Sequence, residues 1–444
     1  MTGKFKKQIW NVLRLSIPAI LTQIATIVMQ YIDSAMVGRI GENAIAAIGL
    51  VSTSTWLFGG IVSSIAIGFS VQIAHACGAK NYTDARIVLR HGLIFSSILA
   101  FILLIIGVSL SFPLPVILKA DESIRTDASL YFLIFSISLP FMQLNILSSS
   151  SLQCSGNMVI PSILNAVMCL LDVVFNLIFI PKLGVLGASI GTGLSVVITS
   201  LVMFYFCAIK NKTLNIRIKD KTKYNKLIIK KAIKISSPVA VEQATRSLAM
   251  IVSTGIVAPL GNTAIAANSI AVTAESLCYM PGFGIAEAAT TLVGQEVGKK
   301  DYKNAFRYGN LSTMLGCVVM TLMAVIMFFA APYIFNLLTN AENVSTLATT
   351  VLRVGLFAEP LYGVSIVASG ALRGVEDTFV PSILNLLSIW VVRITLSFIL
   401  VIPFGLLGVW MANTIELCVR GIVLLIRQLT SKYYKPKEII LTDL

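Results

Sequence analysis

PSILNAVMCLLDVVFN, residues 161–176, is an apolar run whose first five letters return unchanged at residues 381–385. Sliding the chain against itself by 220 positions extends the match on both sides. Pro18 meets Pro238, Gln23 meets Gln243, Gly41 meets Gly261, and AIAA at Ala44 meets AIAA at Ala264. The same register pairs Gly78, Lys80, Tyr82 and Ala85 with Gly298, Lys300, Tyr302 and Ala305, and Pro140 with Pro360. A single register over so many identities marks an internal duplication.

Of the 444 residues, 56% are hydrophobic and 12% charged, and the mean hydropathy is +0.87. That is the balance of a membrane protein, not of a soluble domain. A helix needs roughly 20 mostly apolar residues to cross a bilayer. Twelve runs qualify, at about residues 10–34, 46–70, 92–114, 128–150, 161–181, 185–208, 236–258, 264–290, 309–331, 348–370, 381–403 and 406–427. Six fall in each copy, and an even number of crossings returns the chain to its starting side. The copies therefore share one orientation and are related by an axis along the membrane normal. The expected fold is an all-α membrane protein with twelve transmembrane helices, in two six-helix bundles related by a pseudo-two-fold axis. The expected lobes are residues 1–209 and 235–430, joined by a basic linker at 210–234 and followed by a tail at 431–444. The first run exceeds the roughly 7 to 15 residues of a signal-peptide core and no small-residue cleavage pattern follows, so it is expected to remain.

A net charge of +14 in a soluble protein would suggest nucleic acid, but its placement here gives another reason. With the amino terminus in the cytoplasm, 26 of the 34 Lys and Arg fall in cytoplasmic segments, ten of them from Lys210 to Lys234. Only Arg39, Lys119, Arg125 and Lys182 fall in outer loops. This positive-inside bias expects both termini in the cytoplasm of a multi-pass cell-membrane protein. No aromatic and basic stripe accompanies KDKTKYNKLIIKK, so no nucleic-acid partner is expected. The seven cysteines show no paired metal-ligand spacing, and His75 and His91 read as interfacial side chains near helix ends. No metal site or cofactor is expected.

A charge at the bilayer centre costs roughly 2.5–3.5 kcal/mol, so such groups face a partner or a cavity. Glu242 and Arg246 stand four apart with the glutamate first, as do Glu416 and Arg420, the order that favours ion pairs. Asp33 and Asp172 have no basic residue three or four positions away. Asn165, Asp172 and Asn176 are spaced i, i+7, i+11 and share one helical face. In the 220-residue register Asn165 meets Asn385, but Asp172 meets Val392, Asn176 meets Leu396 and Asp33 meets Ser253. An acid required by the scaffold would be required twice, so Asp33 and Asp172 are read as functional groups that hold a proton or bind Na+ through oxygen. Pro18, Pro238, Gly59–Gly60 and MPGFG at residues 280–284 are expected to interrupt their helices. Gly187-x-x-x-Gly191 and Gly294-x-x-x-Gly298 allow close helix contact.

With these features in place, the chain resembles the multidrug and toxic compound extrusion (MATE) family along nearly its whole length. The matching stretches are SIPAILTQIATIVMQYIDSAMVGRIG with AIAAIGL, LGVLGASIGTGLS, PGFGIAEAATTLVGQEVGKKDYKNA, and GALRGVEDTFVPSILN. The resemblance implies two six-helix bundles facing a central cavity, and export of amphipathic, often cationic compounds in exchange for Na+ or H+. It carries the family's first-helix acid onto Asp33, its fifth-helix polar pair onto Asp172 and Asn176, and its sixth-helix threonine onto Thr192. Family members often show Asn then Asp at that pair, or two Asn, whereas here the order is Asp then Asn. Acids that some members use in the second lobe lie in the helices of Glu242 and Glu359, but not in the same register.

The expected function is an alternating-access antiporter, with Asp33 binding the coupling cation, Na+ or H+, supported by Asp172, Asn176 and Thr192. Gln23, Gln143 and Gln243, together with Glu242, Glu275 and Glu359, are expected to line a cavity for small amphipathic substrates. A monomer in the lipid bilayer is the default. The alternative is a flippase for lipid-linked sugars, which would want basic residues in the cavity and often extra helices, whereas the chain has twelve spans and few unpaired cations within them, chiefly Arg393 and Arg353. An enzyme is not expected, because no nucleophile–base pair, metal motif or phosphate loop is present.

Overall fold

The computed structural model describes residues 2–217, 224–338 and 341–435. Residues 218–223 of the expected linker and 436–444 of the expected tail lie outside the described residues. Lipid offers no partner to backbone N–H and C=O groups, so each crossing must satisfy its own by forming a helix. The first copy runs through α1 (Thr2–Gly38), α2 (Glu42–Gly78), α3 (Tyr82–Ser111), the short α4 (Pro113–Ile117), α5 (Glu122–Cys154), α6 (Val159–Leu183) and α7 (Val185–Tyr205). The second runs through α8 (Lys226–Val257), α9 (Asn262–Gly298), α10 (Tyr302–Leu338), α11 (Glu342–Leu356), α12 (Glu359–Gly374), α13 (Phe379–Leu387), α14 (Thr395–Phe404) and α15 (Leu406–Thr430). No strand occurs among the described residues.

Nine of the described helices, with α13 and α14 counted as one span, are long and apolar enough to cross a membrane. The bent pair α11 and α12 makes ten. With α8 and α9, of 32 and 37 residues, the count reaches twelve; Glu242, Gln243 and Arg246 in α8 and Glu275 and Glu287 in α9 dilute their apolar character. The single expected span at 348–370 is broken instead, bending 55° between α11 and α12. Pro360 lies in the first turn of α12, where its missing N–H costs nothing. Helices continue through Pro18, Pro238 and Pro281, and α2 through Gly59 and Gly60, so the interruptions expected there do not occur. A proline inside a helix removes one hydrogen bond, which packing on both sides can outweigh.

A second departure corrects the comparison of the two copies. Gly184, between α6 and α7, has φ 59° and ψ −131°. Gly405, between α14 and α15, has φ 56° and ψ −133°. These left-handed glycines are the same corner in each copy, yet they stand 221 positions apart, one more than PSILN. The extra residue is absorbed at Ser388–Ile394, where the helix joining α13 to α14 is π-helical, whereas α6 is α-helical throughout. A π turn is how a helix accommodates one inserted residue. Past it, Asn176 corresponds to Ser397 rather than Leu396, while Asp172 falls opposite the π segment itself.

The chain divides into two compact units. One contains Met1–Ile20, Ala74–Asn81 and Leu248–Leu444, the other Leu21–Ile73 and Tyr82–Ser247. In the first, α1 is held to α10 by hydrogen bonds from Gln8 Nε2 to Asn304 Oδ1 (3.2 Å) and from Asn11 Nδ2 to Tyr308 Oη (2.9 Å). The last turn of α2 meets the last turn of α9 there, and a Cβ on Gly298 would strike the His75 carbonyl. His75 also bridges the Gly374 carbonyl at 2.8 Å and Glu376 Oε1 at 3.0 Å. In the second unit, a Cβ on Gly187 would strike the backbone of Phe179, so glycine lets α7 lie against α6.

Candidate functional site

Asp33 lies in the last two turns of α1, and Asp172 and Asn176 lie one turn apart on α6. They are distant in sequence but meet within the unit formed by Leu21–Ile73 and Tyr82–Ser247. Asn176 Nδ2 donates to Asp33 Oδ1 at 2.9 Å and lies 3.3 Å from Asp172 Oδ2. Asp172 is 0% exposed and Asn176 1%, while Asp33 is half-buried. One amide thus ties two carboxyl groups together. The face shared by Asp172 and Asn176 is packed against α7. Its Gly191 permits the approach, since a Cβ there would strike Asn176 Oδ1.

Thr192 and Ser195 on α7 present their hydroxyls within reach of Asp172, and Ser195 Oγ donates to the Thr192 carbonyl at 2.8 Å. Tyr131 on α5 lies within electrostatic reach of both acids. No basic side chain is among the groups acting on either carboxyl, and Asp172 Oδ1 and Asn176 Oδ1 have no hydrogen-bond partner. This is an oxygen-rich cluster with no basic partner among the described residues, the ligand chemistry that suits a hard cation or a proton. Among the described residues no group of three or more His, Cys, Asp or Glu side chains is arranged to hold a metal ion. Ser195 and Tyr131 were not singled out in the sequence. Ser195 stands three residues after Thr192 on the same helical face, a signal that was available; Tyr131 carries none, because its proximity depends on how α5 packs.

The other polar candidates are placed differently. Gln143 on α5 is 1% exposed, with neither end of its amide hydrogen-bonded. Gln23 and Gln243 are half-buried in the same unit, and a Cβ on Gly60 would lie 3.0 Å from Gln243 Cβ. Glu242 is paired with Arg246 at 3.0 Å. Glu275 and Glu359 belong to the other unit, at 7% and 0% exposure, and both oxygens of Glu359 lack a hydrogen-bond partner. Glu416 is also there, paired with Arg420 at 2.9 Å and accepting from Ser388 Oγ at 2.7 Å. Arg353 is not unpaired as its sequence suggests: Nε donates to the Phe328 carbonyl at 3.2 Å, and the guanidinium lies 4.8 Å from the centre of the Phe328 ring.

The MatE family model matches residues 18–178 and again residues 238–399, one match per copy. A probable multidrug resistance protein NorM of Thermotoga maritima is 27% identical over 441 residues, covering 96% of this chain and 93% of that one. A probable multidrug resistance protein YoeA of Bacillus subtilis is 23% identical, covering 92% and 90%. Among solved structures, a MOP superfamily transporter from Pyrococcus furiosus superposes with a TM-score of 0.90 at 22% identity, covering 97% of each chain. That likeness establishes the shared fold.

Proposed function

Because the chain belongs to the MatE family of membrane transporters, we propose that it is a cation-coupled antiporter exporting amphipathic, often cationic small molecules by alternating access. The names of its relatives, multidrug resistance proteins, support efflux as the direction and small molecules as the cargo. The observation that carries the coupling is the Asn176 bridge between Asp33 and Asp172, in a pocket with no basic partner. Two carboxylates on one amide repel each other unless a positive charge joins them. An exchangeable cation, Na+ or H+, provides that charge, and Thr192 and Ser195 add oxygens beside it. Cation and cargo favour opposite states of the transporter, and by linkage each lowers the affinity for the other equally. Gln23, Gln143, Gln243, Glu242, Glu275 and Glu359 are proposed as polar contacts for the cargo. Both termini are proposed to face the cytoplasm, where most of the basic residues then lie.

The test uses protein reconstituted in vesicles loaded with a fluorescent cationic dye, with a Na+ gradient and a pH gradient imposed separately. Efflux driven by one of them supports the reading and names the ion. Efflux indifferent to both removes the coupling.

A further inference from the structure

His91 reads from the sequence as an interfacial side chain, yet on α3 it is only 8% exposed, and both of its ring nitrogens are engaged. Nδ1 lies 2.8 Å from the Ile87 carbonyl one turn back, and Nε2 lies 3.0 Å from the backbone nitrogen of Asn225. A backbone N–H can only donate. Nε2 is therefore the acceptor, and the ring proton sits on Nδ1, which donates to Ile87. The two contacts admit the neutral ring in this one tautomer, because a second proton, on Nε2, would set one N–H against another.

The partner is a structural corner. Asn225 Oδ1 accepts from the Leu227 amide at 2.9 Å, which makes Asn225 the N-cap of α8, the first helix of the second copy. Two further side chains grip the same connection: Arg90 Nη2 donates to the Ile216 carbonyl at 2.8 Å, and Gln72 Nε2 to the Ile228 carbonyl at 3.2 Å. A guanidinium and an amide keep their protons across the ordinary pH range, so His91 is the tie of the three that titrates. All of these residues lie in the unit formed by Leu21–Ile73 and Tyr82–Ser247. The charged and titratable groups on the elements packed here are Asp84, Arg86 and Arg90 on α3, Arg217 and Tyr224 in the connection, and Lys226, Lys230 and Lys231 on α8. The Tyr224 ring centre lies 5.8 Å from that of His91. From the other side α2 approaches closely, since a Cβ on Gly92 would lie 3.0 Å from the Phe69 ring; α2 has no acid or base between Glu42 and His75, and α5, which also packs on α3, has no Asp, Glu, Lys or Arg between Asp127 and Cys154.

We propose that His91 is a proton-sensing site, which docks the capped start of α8 onto α3 while its ring is neutral and releases it when the ring takes up a second proton. The docking contributes on the alkaline side and is lost on acidification. Releasing it leaves the connection between the copies held by Arg90 and Gln72, at the point where the second copy begins. The consequence for transport rests on the alternating-access reading, but the site itself is testable without transport.

Hydrogen exchange on the full-length purified chain reads the tie directly. Protection of the Asn225 amide, taken relative to an unstructured peptide of the same sequence, is expected to fall about tenfold or more between pH values of about 8 and about 5. His91→Gln puts an acceptor oxygen near the Nε2 position that does not titrate, and is expected to keep its protection at both pH values. His91→Phe is expected to lack it at both. In His75→Gln, where His91 is the one histidine left, imidazole nitrogen NMR is expected to show the Nδ1–H tautomer at the higher pH and its loss in step with the protection. The proposal is overturned by equal protection of the parent at both pH values, by protection in His91→Phe equal to the parent's, by a His91→Gln chain that loses protection on acidification as the parent does, or by an Nε2–H tautomer at the higher pH. A transport result showing no ion coupling would remove the reading of Asp33 and leave this outcome standing.

Discussion

Replacing Asp33 by asparagine changes one oxygen to an amide nitrogen and removes one of two negative charges at the Asn176 bridge. Asp33 Oδ1 and Asp172 Oδ2 lie 2.9 Å and 3.3 Å from the same nitrogen, so a cation seated between the carboxyls lies within about 4 Å of each. At that distance a unit charge pair is worth about 4 kcal/mol at an effective dielectric constant near 20. Its loss corresponds to roughly a thousandfold weaker cation binding. With both carboxyls within hydrogen-bond range of the one amide, the charge lost at Asp33 is not replaced by Asp172, which is already counted in the site. Efflux of a cationic dye from vesicles, driven by the effective ion gradient, is expected to fall to the level of empty vesicles, while the variant reaches the membrane in normal amount. Gradient-driven efflux within twofold of the parent would show that the remaining carboxyl suffices and that Asp33 is not the coupling group.

Gly191→Ala is expected to push the Asn176 amide off both carboxyls, because its Cβ would strike Asn176 Oδ1; overpacking of this kind costs about 1–3 kcal/mol, and both melting temperature and ion-driven efflux should fall together. Glu416→Gln leaves Arg420 buried, at 7% exposure, without its partner, a loss of roughly 3–5 kcal/mol visible in thermal unfolding; replacing both residues by leucine should recover part of it. Asp121 caps α5 by accepting from the Ser123 amide at 2.9 Å, and that bond holds its carboxyl below the ordinary 3.8. The cap therefore contributes fully above the ordinary value and is lost as pH falls through the lower folded one, and Asp121→Ala at neutral pH should speed amide exchange in residues 122–125.

Parts of this molecule are legible along the chain because they depend on neighbours in sequence. The i, i+4 spacing of Glu242 with Arg246 and of Glu416 with Arg420 puts opposite charges one turn apart on any helix, and both pairs form. The polar face of α6 likewise follows from helical geometry alone. The bend between α11 and α12 and the π turn at Ser388–Ile394 are less visible, because both depend on how neighbouring helices compensate a disturbed hydrogen-bond ladder. The insertion was nevertheless available to sequence comparison, as the step from 220 to 221 between PSILN and the following glycine.

Composition and periodicity alone set the duplication, the twelve expected crossings and the presence of acids without a nearby counter-charge. Which of those acids meet depends on helix packing. Asp33 and Asp172 are 139 positions apart, and Asn176 joins them because α1 and α6 pack together with Gly191 keeping the α6–α7 contact close. A hydrogen bond acts over about 3 Å, so chemistry of this kind exists only once packing has brought the side chains to that distance.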